Sequence, residues 1–353
     1  MTPTSKANWW KTISVAAVLV LFINEYLIYQ IQSYRWPKFP SIDRKQGEYQ
    51  VLLLVADPQL QGYQDEGIFP FGTLARWDID RYLRNTFTRV YAYSQPDVVL
   101  FMGDLFDEGS KATTQEYIQT YSRFNHTFQE TKYSKTIYIP GDNDIGGERS
   151  DFVTERKVQR FQKHFGDIME LVKYSFIDYI KLDLLTYALT EDKVESAEIL
   201  KHQRTSQYTV LVNHQTVMLG PKHFSYPITK RLKPKIILSA HWHKAQVFTC
   251  HDCLIDDEFS WTINRQDITY IDSYHILDIK DKYSVVEISA PTCSYRMGVV
   301  DIGYPVVIIG TDGTLQFTIL WTPRRYTMLL GYLIFIVIAV ISYIMNFGLC
   351  KRR

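Results

Sequence analysis

The chain has 353 residues, and its 39 Lys and Arg against 38 Asp and Glu give a formal net charge of +1 at pH 7. This balance lacks the basic surplus typical of nucleic-acid binding, so no nucleic-acid partner is expected. The length allows one large domain with membrane attachments, or two small domains.

The first predicted element is a membrane-spanning helix near the N-terminus. Residues 12–32 are mostly apolar and follow Trp9-Trp10. Their number is close to the ~20 residues that cross a bilayer, and paired Trp is typical of the membrane interface. Asn24 and Glu25 are costly in lipid, so we expect them to face protein or the interface, with a functional membrane carboxylate at Glu25 as the alternative. A cleaved signal peptide is another interpretation, but no small-residue cleavage pattern follows.

The next part of the chain alternates apolar runs with helical periodicity. Continuous apolar runs are typical of strands covered on both faces, and a three-to-four-residue spacing is typical of helices with one buried side. These patterns predict, in chain order, a strand over 51–56, a helix over 74–93, a strand over 97–102, a helix over 112–129, a strand over 136–139 and a helix over 154–165. Each of these strands is followed by a carboxylate, at Asp57, Asp104 and Asp142.

The second half is predicted to be richer in strands. Polar residues over 250–282 indicate an exposed irregular insertion, whereas apolar runs predict strands over 208–212, 235–239, 285–288 and 306–309. The first two of these strands end at His214 and at His241-Trp242-His243. Strands that alternate with helices early and are followed by further strands predict an α/β fold, a layered αββα sandwich.

A second membrane-spanning helix is predicted over 326–349, where Leu, Ile, Val and Phe dominate. The basic tail Lys351-Arg352-Arg353 favours a true span with a cytosolic end over a removed GPI-attachment signal. Two spans would place both termini on one side and the middle of the chain in the lumen, where Asn125 begins a glycosylation sequon. The predicted organisation begins with a cytosolic N-terminus over 1–11, a membrane helix over 12–32 and a linker over 33–48. A luminal domain over 49–322, a second membrane helix over 326–349 and a basic cytosolic tail over 350–353 follow.

The closely spaced cysteines fit a luminal location. Cys250 and Cys253 are separated by two residues and predict a local disulfide in an oxidising compartment. A zinc half-site is the alternative interpretation, although the sequence contains no second closely spaced pair.

Five predicted strands are followed by Asp or His, residue types that commonly ligate divalent metals. Ligands of layered α/β sheets gather at the carboxyl ends of strands, so we expect these side chains to converge. A binuclear metal centre needs about six to eight donors and one carboxylate that bridges ions ~3.5–4 Å apart. The sequence supplies donors in that number with Asp57, Asp104, Asp142, His214, His241 and His243.

The order and spacing of these residues resemble the calcineurin-like metallophosphoesterases. The family pattern runs Asp-x-His, Gly-Asp-x-x-Asp-Glu, Gly-Asn-His-Asp, His and Gly-His-x-His. The corresponding segments of this chain are Asp57-x-Gln59, Gly103-Asp104-x-x-Asp107-Glu108, Gly141-Asp142-Asn143-Asp144, His214 and Ala240-His241-x-His243. The likeness covers residues 50–245 and is loose beyond them.

Two flanking spans and the phrases Gly-Asp-Leu-Phe-Asp-Glu-Gly and Gly-Asp-Asn-Asp-Ile-Gly-Gly narrow this resemblance. The chain is similar to the endoplasmic-reticulum phosphodiesterases that remove ethanolamine phosphate from GPI-anchor glycans in animals, and to their yeast cell-division relatives. The resemblance implies a hydrolase of the endoplasmic reticulum, its exit sites or the Golgi membrane. It implies GPI-anchored proteins or their glycan, and membrane lipid, as partners.

The resemblance also implies two divalent ions, with manganese as the metal. The metal ligands carried over by position are Asp57, Gln59, Asp104, Asp142, His214, His241 and His243. Asp104 would bridge the two ions. The residues assigned to catalysis are Asp142, Asn143 and Asp144.

Two positions depart from the family pattern. Gln59 stands where the family has a His ligand, and Asp142-Asn143 stands where it has Asn-His. These changes exchange a nitrogen ligand for harder oxygen donors, which predicts a preference for manganese or magnesium over zinc. The missing His would protonate the leaving alkoxide, a contribution of about 10²–10⁴ in rate. Asp144 can supply that proton only if its pKa is strongly raised.

Three functions are left open by the sequence. They are a phosphodiesterase acting on GPI glycans during export, a catalytically impaired binding protein for GPI-linked cargo, and a phosphodiesterase with a soluble luminal substrate. Outside the metal site, Asp107 and Glu108 are predicted to support the turn after their strand. Tyr295 and Arg296 are predicted to lie in a surface loop, with contact to a substrate phosphate as the alternative.

Overall fold

The computed structural model divides the chain into two compact units, one formed by Met1–Trp36 with Thr322–Arg353 and the other by Pro37–Trp321. It describes residues 3–40, 48–65, 67, 69–148, 150–184, 200–220, 222–251, 253–254, 262–269, 274–279, 281 and 283–348. The basic tail predicted over 350–353 and the last residue of the helix predicted over 326–349 lie outside the described residues.

The larger unit alternates strands and helices first and is built mostly from strands afterwards. In chain order, the helices are α1 (Pro3–Phe22), α2 (Ile28–Tyr34), α3 (Phe71–Ser94), α4 (Thr114–Thr127), α5 (Asp142–Ile145), α6 (Glu155–Phe165), α7 (Lys222–Leu232) and α8 (Arg325–Tyr343). Helices α1, α2 and α8 belong to the smaller unit, and the other helices belong to the larger unit. The strands are β1 (Tyr49–Val55), β2 (Val98–Met102), β3 (Lys135–Ile139), β4 (Glu170–Tyr174), β5 (Ile177–Lys181), β6 (Tyr208–Val212), β7 (Ile236–Ser239), β8 (Gln246–Cys250), β9 (Ile263–Asp267), β10 (His275–Asp278), β11 (Val285–Ser289), β12 (Gly303–Gly310) and β13 (Thr314–Trp321).

The strands form two mixed sheets. The first has the order β10-β13-β12-β1-β2-β3, and the second has the order β4-β5-β6-β7-β11-β8-β9. Strands β1, β2 and β3 run parallel in the first sheet, as do β5, β6, β7 and β11 in the second. Each sheet therefore has an edge at which several carboxyl ends meet.

The two sheets face each other across one apolar core. Leu54 and Leu100 of the first sheet belong to the same buried cluster as Val212 and Leu238 of the second. Side chains alternate along a strand, so each sheet has a second face. This second face also carries apolar residues and is covered by helices. On the first sheet, the Phe101 ring lies 5.0 Å from that of Phe124 in α4. On the second, a separate cluster includes Ile228 and Leu232 of α7. The predicted αββα layers are thereby confirmed.

The segment 250–282, predicted as irregular, contains strands among its described residues. Strand β9 pairs with β8 along the outer edge of the second sheet, and β10 pairs with β13 along the outer edge of the first. Four of the five β9 residues are exposed, so this edge strand relies on backbone pairing and shows no apolar run. Cys250 and Cys253 form a disulfide, as the spacing predicted. Residues 252, 255–261, 270–273, 280 and 282 of the segment lie outside the described residues.

The smaller unit contains two helices that are long and apolar enough to cross a membrane. They cover Asn8–Tyr34, with mean hydropathy 1.8, and Arg325–Asn346, with mean hydropathy 2.6. Length and composition are the basis of this assignment, so the two spans, their orientation and the luminal placement of the larger unit stay predictions.

Polar side chains connect these two helices. The Asn24 amide donates to the backbone carbonyl of Met328 at 3.1 Å. Glu25 accepts from the Arg325 guanidinium at 3.1 Å and from the Tyr332 hydroxyl. The expectation that Asn24 and Glu25 face protein is confirmed.

Candidate metal centre

Strand register brings the predicted ligands to one edge of the sandwich. Val55 of β1 lies opposite Phe101 of β2, and Met102 of β2 lies opposite Ile139 of β3. Because these strands are parallel and end together, the residues that follow them share one edge. Val212 of β6 likewise lies opposite Leu238 of β7 in the second sheet. The loops that bear the three Asp and the three His predicted as ligands therefore emerge from neighbouring strand ends.

His214 lies at the middle of the resulting cluster. Its Nε2 atom is 3.2 Å from an oxygen of Asp142, 3.7 Å from one of Asp104 and 4.0 Å from one of Asp57. Its Nδ1 atom lies 2.7 Å from the carbonyl oxygen of Met102. A carbonyl can only accept, so Nδ1 donates to Met102, and Nε2 faces the carboxylates.

The remaining two imidazoles extend the cluster on either side of His214. His241 Nδ1 lies 3.1 Å from Asp142 Oδ1 and 3.2 Å from His214 Nε2. His243 Nε2 lies 3.7 Å from Asp57 Oδ1. Two overlapping groups of possible ligands result, Asp142 with His214 and His241, and Asp57 with Asp104 and His214. The shared His214 has only Nε2 free, so a bridge between two adjacent ions would come from a carboxylate, for which Asp104 is the predicted residue.

The backbone is held in an unfavourable conformation at these loops. Positive φ angles occur at Asp57 (47°), Gln59 (41°), Asp104 (51°), His241 (68°) and His243 (57°). Such left-handed conformations cost about 1–3 kcal/mol at non-glycine residues and concentrate at functional sites. Five of the eight described non-glycine residues with positive φ belong to this cluster, which supports a functional role for it.

Two glycines allow the strand ends to approach each other. A Cβ atom at Gly103, where φ is +93°, would lie 2.4 Å from the His214 ring. A Cβ atom at Gly141 would lie 2.1 Å from a carboxylate oxygen of Asp104. Both contacts are too close for any side chain, so glycine at these positions is required for the cluster to form.

The cluster is buried and rich in negative charge. Both carboxylate oxygens of Asp57 are inaccessible to water and accept no hydrogen bond. Burial raises the pKa of Asp57; the nearby His214 opposes this effect, and Asp104 and Asp142 add to it. A buried carboxylate is stabilised by a proton or by a cation, and Asp oxygens with imidazole nitrogens suit divalent manganese or zinc. The donor set therefore fits metal ions, while the individual ligand assignments stay predictions.

Two imidazoles of the cluster, His214 and His243, have pKa values shifted in opposite directions. Burial disfavours the charged form of His214, but Asp104, Asp142 and Asp57 outweigh it and raise the pKa of His214 to about 10. Burial and the neighbouring His214 and His241 lower the pKa of His243 to about 4. Burial also acts against ionisation of Asp142, yet His214 and His241 overcome it and lower the pKa of Asp142.

Gln59 and Asn143 both contact Asp104. The Gln59 amide nitrogen donates to Asp104 Oδ2 at 2.9 Å, and the Asn143 side-chain amide donates to the same oxygen at 3.0 Å. The backbone amide of Asn143 donates to Asp104 Oδ1, also at 3.0 Å. Both residues that depart from the family pattern therefore lie in the cluster and fix the proposed bridging carboxylate.

Asp144 holds two loops together. Its carboxylate accepts backbone hydrogen bonds from Leu105 at 3.1 Å, Phe106 at 3.1 Å and Gly141 at 2.9 Å. Burial and the adjacent Asp104 raise the pKa of Asp144 to about 7. Both oxygens accept backbone hydrogen bonds, so the side chain braces the loops, and its catalytic role stays a prediction.

Two buried glutamates support the loops from outside the cluster. Glu108 accepts from the backbone amides of Tyr63, Gln64 and Asp65, which agrees with its predicted supporting role. Glu287, on β11, accepts from the backbone amides of Val217 and Met218 at 2.8 and 2.7 Å. The sequence analysis missed Glu287, although a Glu inside the apolar run of β11 was a visible signal.

Tyr295 is part of the core and not of a surface loop. It is 5% exposed, its hydroxyl donates to Asp78 at 2.8 Å, and its ring packs edge-on against Tyr82. The structure therefore gives Tyr295 a packing role. Arg296 is exposed, as predicted.

Comparison with known proteins gives one family match. The model of the calcineurin-like phosphoesterase family matches residues 51–245. The chain is 29% identical over 192 residues to Cell division control protein 1 of Saccharomyces cerevisiae, covering 50% of this chain and 37% of the yeast protein. It is 30% identical over 162 residues to Metallophosphoesterase 1 of Pongo abelii, covering 44% of this chain and 39% of that protein. The chain thus matches well under half the length of these two relatives.

Among solved structures, similarity extends over most of the chain at low identity. A dimetal phosphatase from Danio rerio aligns with TM-score 0.45 and 8% identity, covering 78% of this chain and 96% of that one. A purple acid phosphatase from yellow lupin aligns with TM-score 0.46 and 12% identity, covering 81% of this chain and 52% of that one.

Proposed function

Because the chain belongs to the calcineurin-like phosphoesterase family, we propose that it is a membrane-bound, metal-dependent phosphodiesterase. The observation that carries this proposal is the convergence of three Asp and two His side chains in two adjacent groups of possible metal ligands. It is supported by the buried Asp57 carboxylate, whose oxygens accept no hydrogen bond. Both features suit a binuclear centre that binds a phosphate group.

The residues that would hold the two ions lie on five loops. They are Asp57, Gln59, Asp104, Asp142, His214, His241 and His243. When bound, two divalent ions would neutralise the phosphodiester oxygens and supply the nucleophile for in-line attack. The protein keeps Asp104 in place with the Gln59 and Asn143 amides, and it keeps His214 in one tautomer through Met102.

We further propose that the substrate is ethanolamine phosphate on GPI-anchor glycans, removed to support export of GPI-anchored proteins from the endoplasmic reticulum. The motif likeness described above supports this substrate. The two candidate membrane helices fit a protein that meets a lipid-linked substrate. Manganese is the proposed metal, and placement in the endoplasmic reticulum or Golgi membrane with a luminal domain is part of the same proposal.

A second function is a binding protein for GPI-linked cargo with little or no catalysis. The specific observation in its favour is Asn143, which stands where the family pattern has the proton-donating His. An amide cannot protonate a leaving alkoxide. The contact of Asn143 with Asp104 and the backbone hydrogen bonds accepted by Asp144 support this second function.

Hydrolysis of bis(4-nitrophenyl) phosphate by the purified full-length chain in manganese separates the two functions. The proposal expects manganese-dependent turnover that Asp104→Ala abolishes and that Asp65→Ala, a change at an exposed carboxylate 3.4 Å from Lys111, leaves intact. Absence of manganese-dependent turnover in the wild-type chain would favour the binding protein. Turnover that survives Asp104→Ala would place the chemistry outside this cluster.

A further inference from the structure

Large apolar side chains are exposed at the start of α3. Phe69, Phe71, Leu74 and Trp77 are 80%, 76%, 60% and 57% exposed. The last three follow one another at three-residue intervals and so share one face of the helix. We call these four residues the aromatic surface. A cluster of this size on a folded domain marks an interaction site, since scattered single apolar residues are the usual surface pattern.

The helix is fixed behind this surface, so the aromatic side chains are held outwards. Asp78 accepts from Tyr295, and Asp80 pairs with Arg123 through two contacts of 2.7 and 2.8 Å. On the surface itself, the Arg81 guanidinium lies 5.4 Å from the centre of the Trp77 ring. Aromatic rings beside a cationic side chain are typical of residues that sit at the headgroup level of a membrane.

Chain connectivity places this surface at the same sheet edge as the metal cluster. Helix α3 follows the carboxyl end of β1 through the loop that contains Asp57. Strands β1 and β13 are both antiparallel to β12, so β13 runs in the direction of β1 and ends at that edge.

Strand β13 ends at Trp321, and the candidate membrane helix begins at Arg325. An extended chain advances at most about 3.6 Å per residue, so four steps cover no more than about 14 Å. Only three residues, Thr322, Pro323 and Arg324, therefore separate the end of this strand from a candidate membrane helix along the chain.

We propose that the aromatic surface inserts into the interface of the phospholipid bilayer that the chain spans. Phe and Leu side chains would enter the acyl boundary, and Trp77 with Arg81 would remain at headgroup level. The metal cluster would then open beside the membrane surface, within reach of a phosphodiester carried by a lipid. Membrane insertion of this surface does not depend on catalysis, so it can be tested apart from the proposed function.

The test is depth-dependent quenching in the full-length chain reconstituted into phosphatidylcholine nanodiscs. Phe71→Cys, in a chain with Cys350→Ser, is labelled with an environment-sensitive fluorophore, and lipids with a doxyl group near the headgroup serve as quenchers. The matched control is Tyr133→Cys, because Tyr133 is 73% exposed and precedes β3, at the opposite end of the sheet. We expect strong quenching at position 71 and little at 133.

A second variant separates insertion from accidental proximity. Adding Leu74→Ser and Trp77→Ser to the labelled chain should reduce quenching at position 71 by about threefold or more, since less apolar area enters the bilayer. Both side chains are exposed, so the unfolding temperature should stay unchanged. Equal quenching at positions 71 and 133, or quenching at 71 that survives the double change, would overturn the proposal. Absence of quenching at 71 would overturn it as well and would point to a protein partner.

Discussion

Asp104 is the residue on which the chemistry of the cluster depends most. Its Oδ2 atom accepts from two side-chain amides and its Oδ1 atom from a backbone amide, while His214 stands 3.7 Å away. A carboxylate that is held from several sides is suited to bridge two ions, because it need not reorganise when they bind. Gln59 and Asn143 therefore act here as uncharged hydrogen-bond donors to this carboxylate.

Under the proposed function, Asn143→His should add the proton donor that the family pattern has at this position. We expect a rise in kcat of about 10-fold or more on an alkyl phosphodiester, because its alkoxide leaving group must be protonated. We expect little change with 4-nitrophenyl esters, because 4-nitrophenolate leaves without a proton. Comparing both substrates with Asn143→Ala as the control measures this difference. A similar rise with both substrates would mean that the imidazole acts through metal binding and not through proton donation.

Glu287 makes a pH-dependent contribution to stability. Burial raises its pKa from 4.5 to about 7, so between these values the folded chain binds a proton that the unfolded chain has released. The free energy of unfolding therefore falls as pH rises through this window, by about 3 kcal/mol in total. Glu287→Gln, which cannot ionise, should flatten the dependence of the unfolding temperature on pH between 4.5 and 7. The exposed Glu155→Gln should leave the wild-type slope unchanged; equal slopes in all three chains would contradict the assignment.

At the scale of elements, the apolar runs predicted the strands that are covered on both faces. Strands β1, β2 and β6 lie within two residues of their predicted bounds. Strand β5 was missed because it is buried along its whole length yet contains Asp178 and Lys181. Asp178 accepts from two backbone amides, and the Lys181 amine contacts the carbonyl of Asp167. These hydrogen bonds allow polar residues to be buried in the strand, and they cannot be foreseen from the sequence.

The candidate cluster was more predictable than the fold around it. Its side chains follow strand ends, and parallel strands must bring those ends together. The bracing roles of Asp144 and Glu287 were not predictable in the same way. Each depends on backbone amides of loops whose positions are set only when the strands pair.

The two helices of the smaller unit are joined by a charged pair, Glu25 and Arg325, whose side chains are 19% and 3% exposed. Removing one partner of a buried pair leaves the other uncompensated, at a cost of about 3–5 kcal/mol. We expect Glu25→Ala to lower the unfolding temperature of the full chain in detergent, and Glu25→Arg with Arg325→Glu to recover most of the loss. Tyr332→Phe, which removes one donor to Glu25 and no charge, should have a smaller effect. An exchange variant no more stable than Glu25→Ala would show that the pair does not hold the helices together.

At the scale of the whole molecule, three buried carboxylates are a cost that the folded chain carries for its function. Asp57, Asp104 and Asp142 are at most 5% exposed and lie around one imidazole. Metal binding to the folded state alone would offset this cost through mass action. Raising the free manganese concentration should therefore raise the unfolding temperature of the wild-type chain.

The most direct measurement is the number of divalent ions bound per chain, determined by elemental analysis of the purified full-length protein after equilibration with manganese. We expect two ions per wild-type chain, and loss of both in Asp104→Ala because that carboxylate is the proposed bridge between the two sites. A wild-type chain that retains no divalent ion, or an Asp104→Ala chain that retains the full complement, would contradict this expectation.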